Sequence, residues 1–202
     1  MTKEELAVRL KNACAALVES EAELTEIDSR FGDADHGLTM VKIAGAIASA
    51  VDAADGGIKE MLDDVAMEVM VLNGGSAVPL WNAWLDGMQE GAPEGEQTDV
   101  AGLKSMFASG FESLDDMSGA KVGDKTMMDA LIPATQAVAA YEGSDEKELF
   151  RIAARAAEQG AEDSRQYVAR FGRAKSYGQK TIGTPDAGAV SMSRFFRGLA
   201  RE

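Results

Sequence analysis

Apolar residues recur at three- and four-residue spacing along almost the whole chain. Leu6, Leu10, Ala13, Leu17 and Leu24 form one such stripe, and Ile58, Met61, Leu62, Val65 and Val69 form another. A period of 3.6 puts these side chains on one helix face, whereas a half-buried strand needs a period of two. The pattern predicts helices over 4–25, 38–53, 58–72, 77–88 and 99–115. Thr2 followed by Glu5 has capping-box spacing at the start of the first. Asp124 is expected to cap a helix kinked by Pro133. Ser144 is expected to cap a helix running to Ala169, and 186–199 forms the last one. Residues 170–185 are basic, Gly-containing and aperiodic, which in a compact helical chain points to a functional loop. No strand and no fixed-period repeat stands out. About eight helices with short connections imply an all-α bundle, a single domain over the 202 residues.

Charge limits the partners. Thirty-four acidic against 20 basic residues give a net charge of -14, so the chain repels nucleic acid and anionic membranes. An anionic ligand must be met by local cations, backbone N–H groups or a metal ion. The one cysteine, Cys14, excludes an internal disulfide and lies in an Ala-rich apolar run that suits the core. The eleven methionines fall mostly at apolar helix positions, as fillers of an irregular core. Met1 to Glu5 is not a signal peptide, and no apolar run approaches a membrane span, so the expected location is the cytoplasm.

The helical pattern breaks over 26–37. There Asp28, Asp33 and Asp35 place three carboxylates within eight residues, beside Gly32 and Gly37. Two readings stand. One is a solvated acidic loop whose aspartates cap helices, which leaves the glycines unexplained. The other is a hard-cation site. Magnesium takes one or two carboxylates plus waters and phosphate oxygens, and clustered carboxylates repel unless a cation sits among them. His36, the one histidine, is either a loop or capping side chain or a phosphate contact. Gly37-Leu38-Thr39 opens a helix whose free N–H groups can receive phosphate oxygens. Asn73-Gly74-Gly75-Ser76-Ala77, Gly119 to Met127 and Arg173 to Lys180 are further Gly-containing segments, each weak alone. Neither a Walker phosphate loop nor a Rossmann fingerprint is present.

Together these segments resemble the nucleotide-binding (L) subunit of dihydroxyacetone kinases. The family signature Gly-Asp-Gly-Asp-His-Gly, preceded by an Asp, reads here as Asp28 and Gly32-Asp33-Ala34-Asp35-His36-Gly37. Gly123-Asp124-Lys125-Thr126-Met127, Gly172-Arg173-Ala174 and Asp186-Ala187-Gly188 follow in the family's order. The resemblance implies a barrel of eight antiparallel helices with nucleotide at one end. It implies two magnesium ions on Asp28, Asp33 and Asp35, with ATP or ADP surrounded by His36, Gly37, Leu38, Thr39, Ser76, Ala77, Gly119, Met127, Arg173, Asp186, Ala187 and Gly188. Arg173 would neutralise charge during phosphoryl transfer to a small ketose, dihydroxyacetone or a tetrulose.

The ketose would sit on a separate K subunit, in a heteromer or alongside a homodimer of this chain. The phosphoryl would come from ATP, or from a phosphotransferase-system protein that recharges bound ADP. The departures are Ala34 for a glycine, Thr39 for Asn, Gly75-Ser76-Ala77-Val78-Pro79 for Gly-Ala-Ser-Gly-Pro, and Ala187 for Pro. Ala34 implies that its position does not need a positive φ. A fatty-acid-kinase-like domain is a second reading, opposed by His36 and by the chain's length. A non-enzymatic nucleotide sensor is a third.

Overall fold

The computed structural model describes residues 1–201. Nine α-helices lie among them: α1 Lys3–Glu19, α2 Glu21–Ser29, α3 His36–Ala53, α4 Ile58–Met70, α5 Ala77–Glu90, α6 Val100–Ser118, α7 Met128–Ala140, α8 Glu146–Asp163 and α9 Ala187–Leu199. Two 3-10 segments, Ser164–Gln166 and Arg173–Thr181, fill much of the connection between α8 and α9. No strand occurs among the described residues, only one isolated bridge between Thr2 and Gln97.

The helices close into a ring. From α3 to α9 each long helix packs on the next in the chain, α1 packs on α3, and α9 returns to α1. Short connections make neighbours antiparallel. This is the all-α arrangement expected from the pattern and the barrel of eight helices that the resemblance implies, with α2 as an extra short piece at one end. The centre is aromatic. Trp81 and Trp84 of α5 meet Phe195 of α9 edge-on at 5.3 and 5.4 Å between centroids, a geometry that aromatic quadrupoles favour. Seven of the eleven methionines, among them Met40, Met61 and Met192, are buried and fill the remaining core, as their spacing suggested. Cys14 is buried as well, and desolvation pushes its thiol up to about 12, so it acts as a small hydrophobe.

Several boundaries differ from expectation, each for a local reason. The stripe over 4–25 is not one helix. The Ser20 hydroxyl donates to Ala16 O at 2.8 Å, α1 ends, and α2 starts at once. Leu24 is still buried, so the apolar period runs across the break and hides it. The Thr2–Glu5 capping box forms. Asp124 caps no helix: its carboxylate accepts from Lys121 N, and α7 begins only at Met128. The cap of α8 is Asp145, which accepts from Lys147 N and Glu148 N, and not Ser144; the helix stops at Asp163.

Pro133 sits inside α7, which continues through it. Its missing N–H leaves Asp129 O unbonded within the helix. That carbonyl faces Gly160 of α8 so closely that a Cβ there would clash. No helix of the described residues is long and apolar enough to cross a membrane.

Candidate functional site

One end of the barrel holds a cleft of about 470 Å³. Its acidic wall is built from the last turn of α2 and the loop into α3. Asp28 comes from the helix, Asp33 and Asp35 from the loop, and one oxygen of each lies within 4.8 Å of the others. Asp28 Oδ2 also accepts from Asp35 N at 3.1 Å and His36 N at 3.4 Å, so this carboxylate sits at the N-terminus of α3. There the helix dipole favours negative charge.

Two glycines are required by close approach. At Gly32 a Cβ would overlap the Asp28 carboxylate, and at Gly37 it would strike Glu21 O and Thr25 Oγ1 of α2. Ala34 has φ of 60°. The expectation that this position does not need a positive φ is therefore not met. The loop keeps its left-handed turn and carries the strain of a Cβ in it, about 1–2 kcal/mol.

The three carboxylates are poorly balanced by themselves. Burial, then the charges of Asp33 and Asp28, raise the Asp35 pKa above its ordinary value. A cation among them would relieve that repulsion, and the all-oxygen set suits a hard ion such as magnesium.

His36 opens α3 and lines the same cleft. Its Nε2 lies 3.0 Å from Ser191 Oγ of α9. Burial lowers its pKa, partly offset by Asp28, so the ring is neutral near pH 7 and can offer one hydrogen bond but little charge.

Opposite the acids stands a basic wall. Arg173, at the start of the 3-10 segment, reaches Asp33 Oδ2 at 2.7 Å. Tyr177 packs on Phe31 at 5.2 Å between ring centroids. These two contacts fasten the basic segment to the acidic loop, so the 170–185 stretch is an ordered wall. Asp186 caps α9 by accepting from Ala189 N at 2.8 Å. It is half-buried at the cleft wall, and desolvation pushes its carboxyl up to about 7.

Of the residues singled out from sequence, the cleft gathers Asp28, Asp33, Asp35, His36, Thr39, Ser76, Ala77, Met127, Arg173, Asp186, Ala187 and Gly188. Three stand apart. Gly37 is buried against α2, Leu38 points outward with 56% of its surface exposed, and Gly119 is the left-handed C-cap of α6. Its neighbours Met117 and Ser118 reach the cleft instead.

The sequence reading gave no site role to two charged residues that shape this end of the barrel, naming Lys125 only as part of a family segment. Lys125 lines the cleft as a buried lysine at φ 62°. The fully buried Asp129 accepts from Gly123 N at 2.6 Å and Thr126 N at 2.7 Å, folding the loop that carries Lys125. An acid between the apolar Met128 and Ala130 was the available signal.

Comparison with known proteins agrees with this geometry. The profile described as DAK2 domain matches residues 30–201. A D-erythrulose kinase of Mycolicibacterium smegmatis is 31% identical over 190 residues, covering 92% of this chain and 33% of the relative. The PEP-dependent dihydroxyacetone kinase, ADP-binding subunit DhaL, of Escherichia coli (strain K12) is 30% identical over 193 residues, covering 93% of this chain and 91% of that subunit. The crystal structure of the dihydroxyacetone kinase from C. freundii in complex with AMP-PNP and Mg2+ superposes with a TM-score of 0.70 at 25% identity, over 96% of this chain and 33% of that one. The chain thus spans about a third of the length of the erythrulose kinase and of the C. freundii kinase. With a profile match over most of its length and a helical ring shared with a kinase of known structure, the chain belongs to the DAK2 domain family.

Proposed function

We propose that this chain is the nucleotide-binding part of a small-ketose kinase, with magnesium and an adenine nucleotide held in the cleft between the two walls. The observation that carries the reading is the convergence of Asp28, Asp33 and Asp35 within 4.8 Å, in one cleft with Arg173 and the starts of α3 and α5. Phosphoryl transfer is catalysed mainly by positioning and charge neutralisation, and this cleft is equipped for both. The resemblance to a kinase complexed with AMP-PNP and Mg2+ supports the same ligand class.

In this reading Asp28, Asp33 and Asp35 hold the metal, two ions by family resemblance. Magnesium held there would supply neutralisation of phosphate charge and a fixed orientation for the phosphates. Arg173 offers a planar, permanently charged donor to oxygens gaining charge as the terminal phosphoryl leaves. His36 Nε2 donates to Ser191 Oγ, whose hydroxyl donates to Gly188 O, and this orients the ring beside them. The N–H groups opening α5, at Ser76 and Ala77, would face anionic oxygens. A new bond forms between the ketose hydroxyl oxygen and the terminal phosphorus, the hydroxyl proton leaves to water or to the subunit that holds the ketose, and the bond to the bridging oxygen of the nucleotide breaks.

The ketose is held on a separate K subunit. This is supported by the match to nearly the whole length of an ADP-binding subunit, beside matches to a third of longer kinases. The acceptor is dihydroxyacetone or a tetrulose, and the donor is ATP or a rephosphorylated bound ADP.

Isothermal titration calorimetry of nucleotide-stripped protein with ADP, with and without magnesium, tests the reading. Binding that requires magnesium and disappears in Asp33→Asn supports it. No binding by folded protein in either condition overturns it.

A further inference from the structure

Lys125 sits in the left-handed region, which disfavours an L-residue, at φ 62° in the loop between α6 and α7. Strain of this kind persists where the surroundings over-determine it, and the surroundings here are specific. The side chain turns inward and is buried, at 5% exposure. Its Nζ donates to Ser164 O at 2.6 Å and to Thr184 O at 2.5 Å. Ser164 lies just past α8, and Thr184 lies in the strand of loop that leads into α9. One ammonium therefore ties three segments that are far apart in the chain.

Ser164 extends the tie. Its hydroxyl donates to Ala161 O and accepts from Asp186 N at 2.9 Å. Asp186 then caps α9, whose first residues line the cleft and whose Ser191 holds His36. Charge runs along the same path. Asp186 and Asp129 attract the Lys125 ammonium, Arg165 repels it, and burial lowers its pKa. The Asp186 carboxyl is faced by Lys125 from the loop, by Asp129 from α7 and by the N–H groups of Gly188 and Ala189. His36 of α3 meets the backbone of Ala187 next to it.

We propose that Lys125 is a positioning residue for the nucleotide: its buried ammonium clamps Ser164 and Thr184 and so sets the wall formed by Asp186, Ala187 and Gly188. This rests on the nucleotide-binding reading above. It does not involve the metal carboxylates, which lie on the other wall. The clamp therefore affects nucleotide and metal binding differently, and a general loss of stability would not.

The test compares wild type, Lys125→Met, Lys125→Arg and Ser164→Ala, each checked for folding by circular dichroism. Mg-ADP affinity is measured by calorimetry and Mn2+ affinity, without nucleotide, by electron paramagnetic resonance. Lys125→Met is expected to weaken Mg-ADP at least tenfold while leaving Mn2+ within twofold of wild type. Lys125→Arg, which keeps the charge and can donate to both carbonyls, is expected to recover a large part of that loss. Ser164→Ala, which frees Asp186 N, is expected to weaken Mg-ADP about threefold or more, and it carries the test if Lys125→Met does not fold.

Unchanged Mg-ADP affinity in the folded Lys125→Met and Ser164→Ala proteins overturns the proposal. So does an equal loss of Mn2+ and Mg-ADP. Failure of wild type to bind Mg-ADP overturns the underlying reading instead, and the clamp's role falls with it.

Discussion

Arg173 Nη2 lies 2.7 Å from Asp33 Oδ2, joining the basic wall to the acidic one across the mouth of the cleft. The arginine side chain is 71% exposed, so the pair stabilises by less than about 1 kcal/mol. It nevertheless places a guanidinium on a carboxylate that the proposed function gives to a cation. Arg173→Ala is therefore expected to have opposite effects on two ligands. Mn2+ alone should bind up to about fivefold more tightly, because a competitor of up to ~1 kcal/mol is gone. Mg-ADP should bind more weakly, because a phosphate partner is lost. Paired titrations read both, and a loss of affinity for Mn2+ would contradict the competition.

Asp35 is the strained member of the carboxylate set. Its pKa is raised by burial first, then by Asp33 and Asp28. A carboxyl whose folded pKa exceeds its unfolded one is easier to protonate in the folded state, so its charge destabilises the fold at neutral pH. In chelator-treated protein at pH 7, Asp35→Asn should leave Tm unchanged or raise it, while abolishing Mg-ADP binding. A clear fall in Tm would mean that the carboxylate is structural and that the metal assignment needs revision.

Two neighbouring backbone positions, Ala34 in the loop and Gly37 in the first turn of α3, give opposite expectations. Ala34→Gly removes a Cβ from the left-handed region and should add about 0.5–1 kcal/mol of stability, or roughly 1–4 °C in Tm for a chain of this size. Gly37→Ala drives a Cβ into Glu21 O and Thr25 Oγ1, so α2 must move off α3. A loss of about 1–3 kcal/mol is expected, together with weaker Mg-ADP binding as Asp28 is displaced. Thermal melts and calorimetry check both.

Asp186 supplies a pH signature. Desolvation raises its carboxyl to about 7 against an ordinary value of 3.8. Between these values the folded state holds more proton than the unfolded chain, so this group makes stability fall as pH rises from about 4 to about 7, with no further change above. Asp186→Asn keeps an N-cap side chain and removes the titration. Urea midpoints measured across that range should slope less in the variant than in the parent. Equal slopes would place the buried charge elsewhere.

The ring of helices was legible because it is written in side-chain periodicity, which packing enforces at every turn. The Ser20 break was not, because Leu17 and Leu24 are both buried on either side of it and the apolar stripe is undisturbed. Within the site, the carboxylates, His36 and Arg173 could be read from composition and order, since each is a chemically distinctive residue in a Gly-marked segment. Lys125 could not. Its importance lies in a backbone turn and in two carbonyl partners 39 and 59 residues away, which only the closed fold brings together. Ala34 misled for a similar reason: residue type is a weak guide to φ where neighbouring contacts hold the turn.

The hydrogen bond between His36 and Ser191 spans 155 positions of the chain. The pocket's acidic loop and the wall at the start of α9 therefore come from the first and last fifths of the polypeptide, and its final piece arrives only when α9 docks against α1. A chain still emerging from the ribosome, or one whose closing helix has frayed, has no complete pocket to offer. Under the proposed function, ligand binding would select for the finished ring over every open intermediate, and the ligand would double as a latch on the seam where the barrel closes.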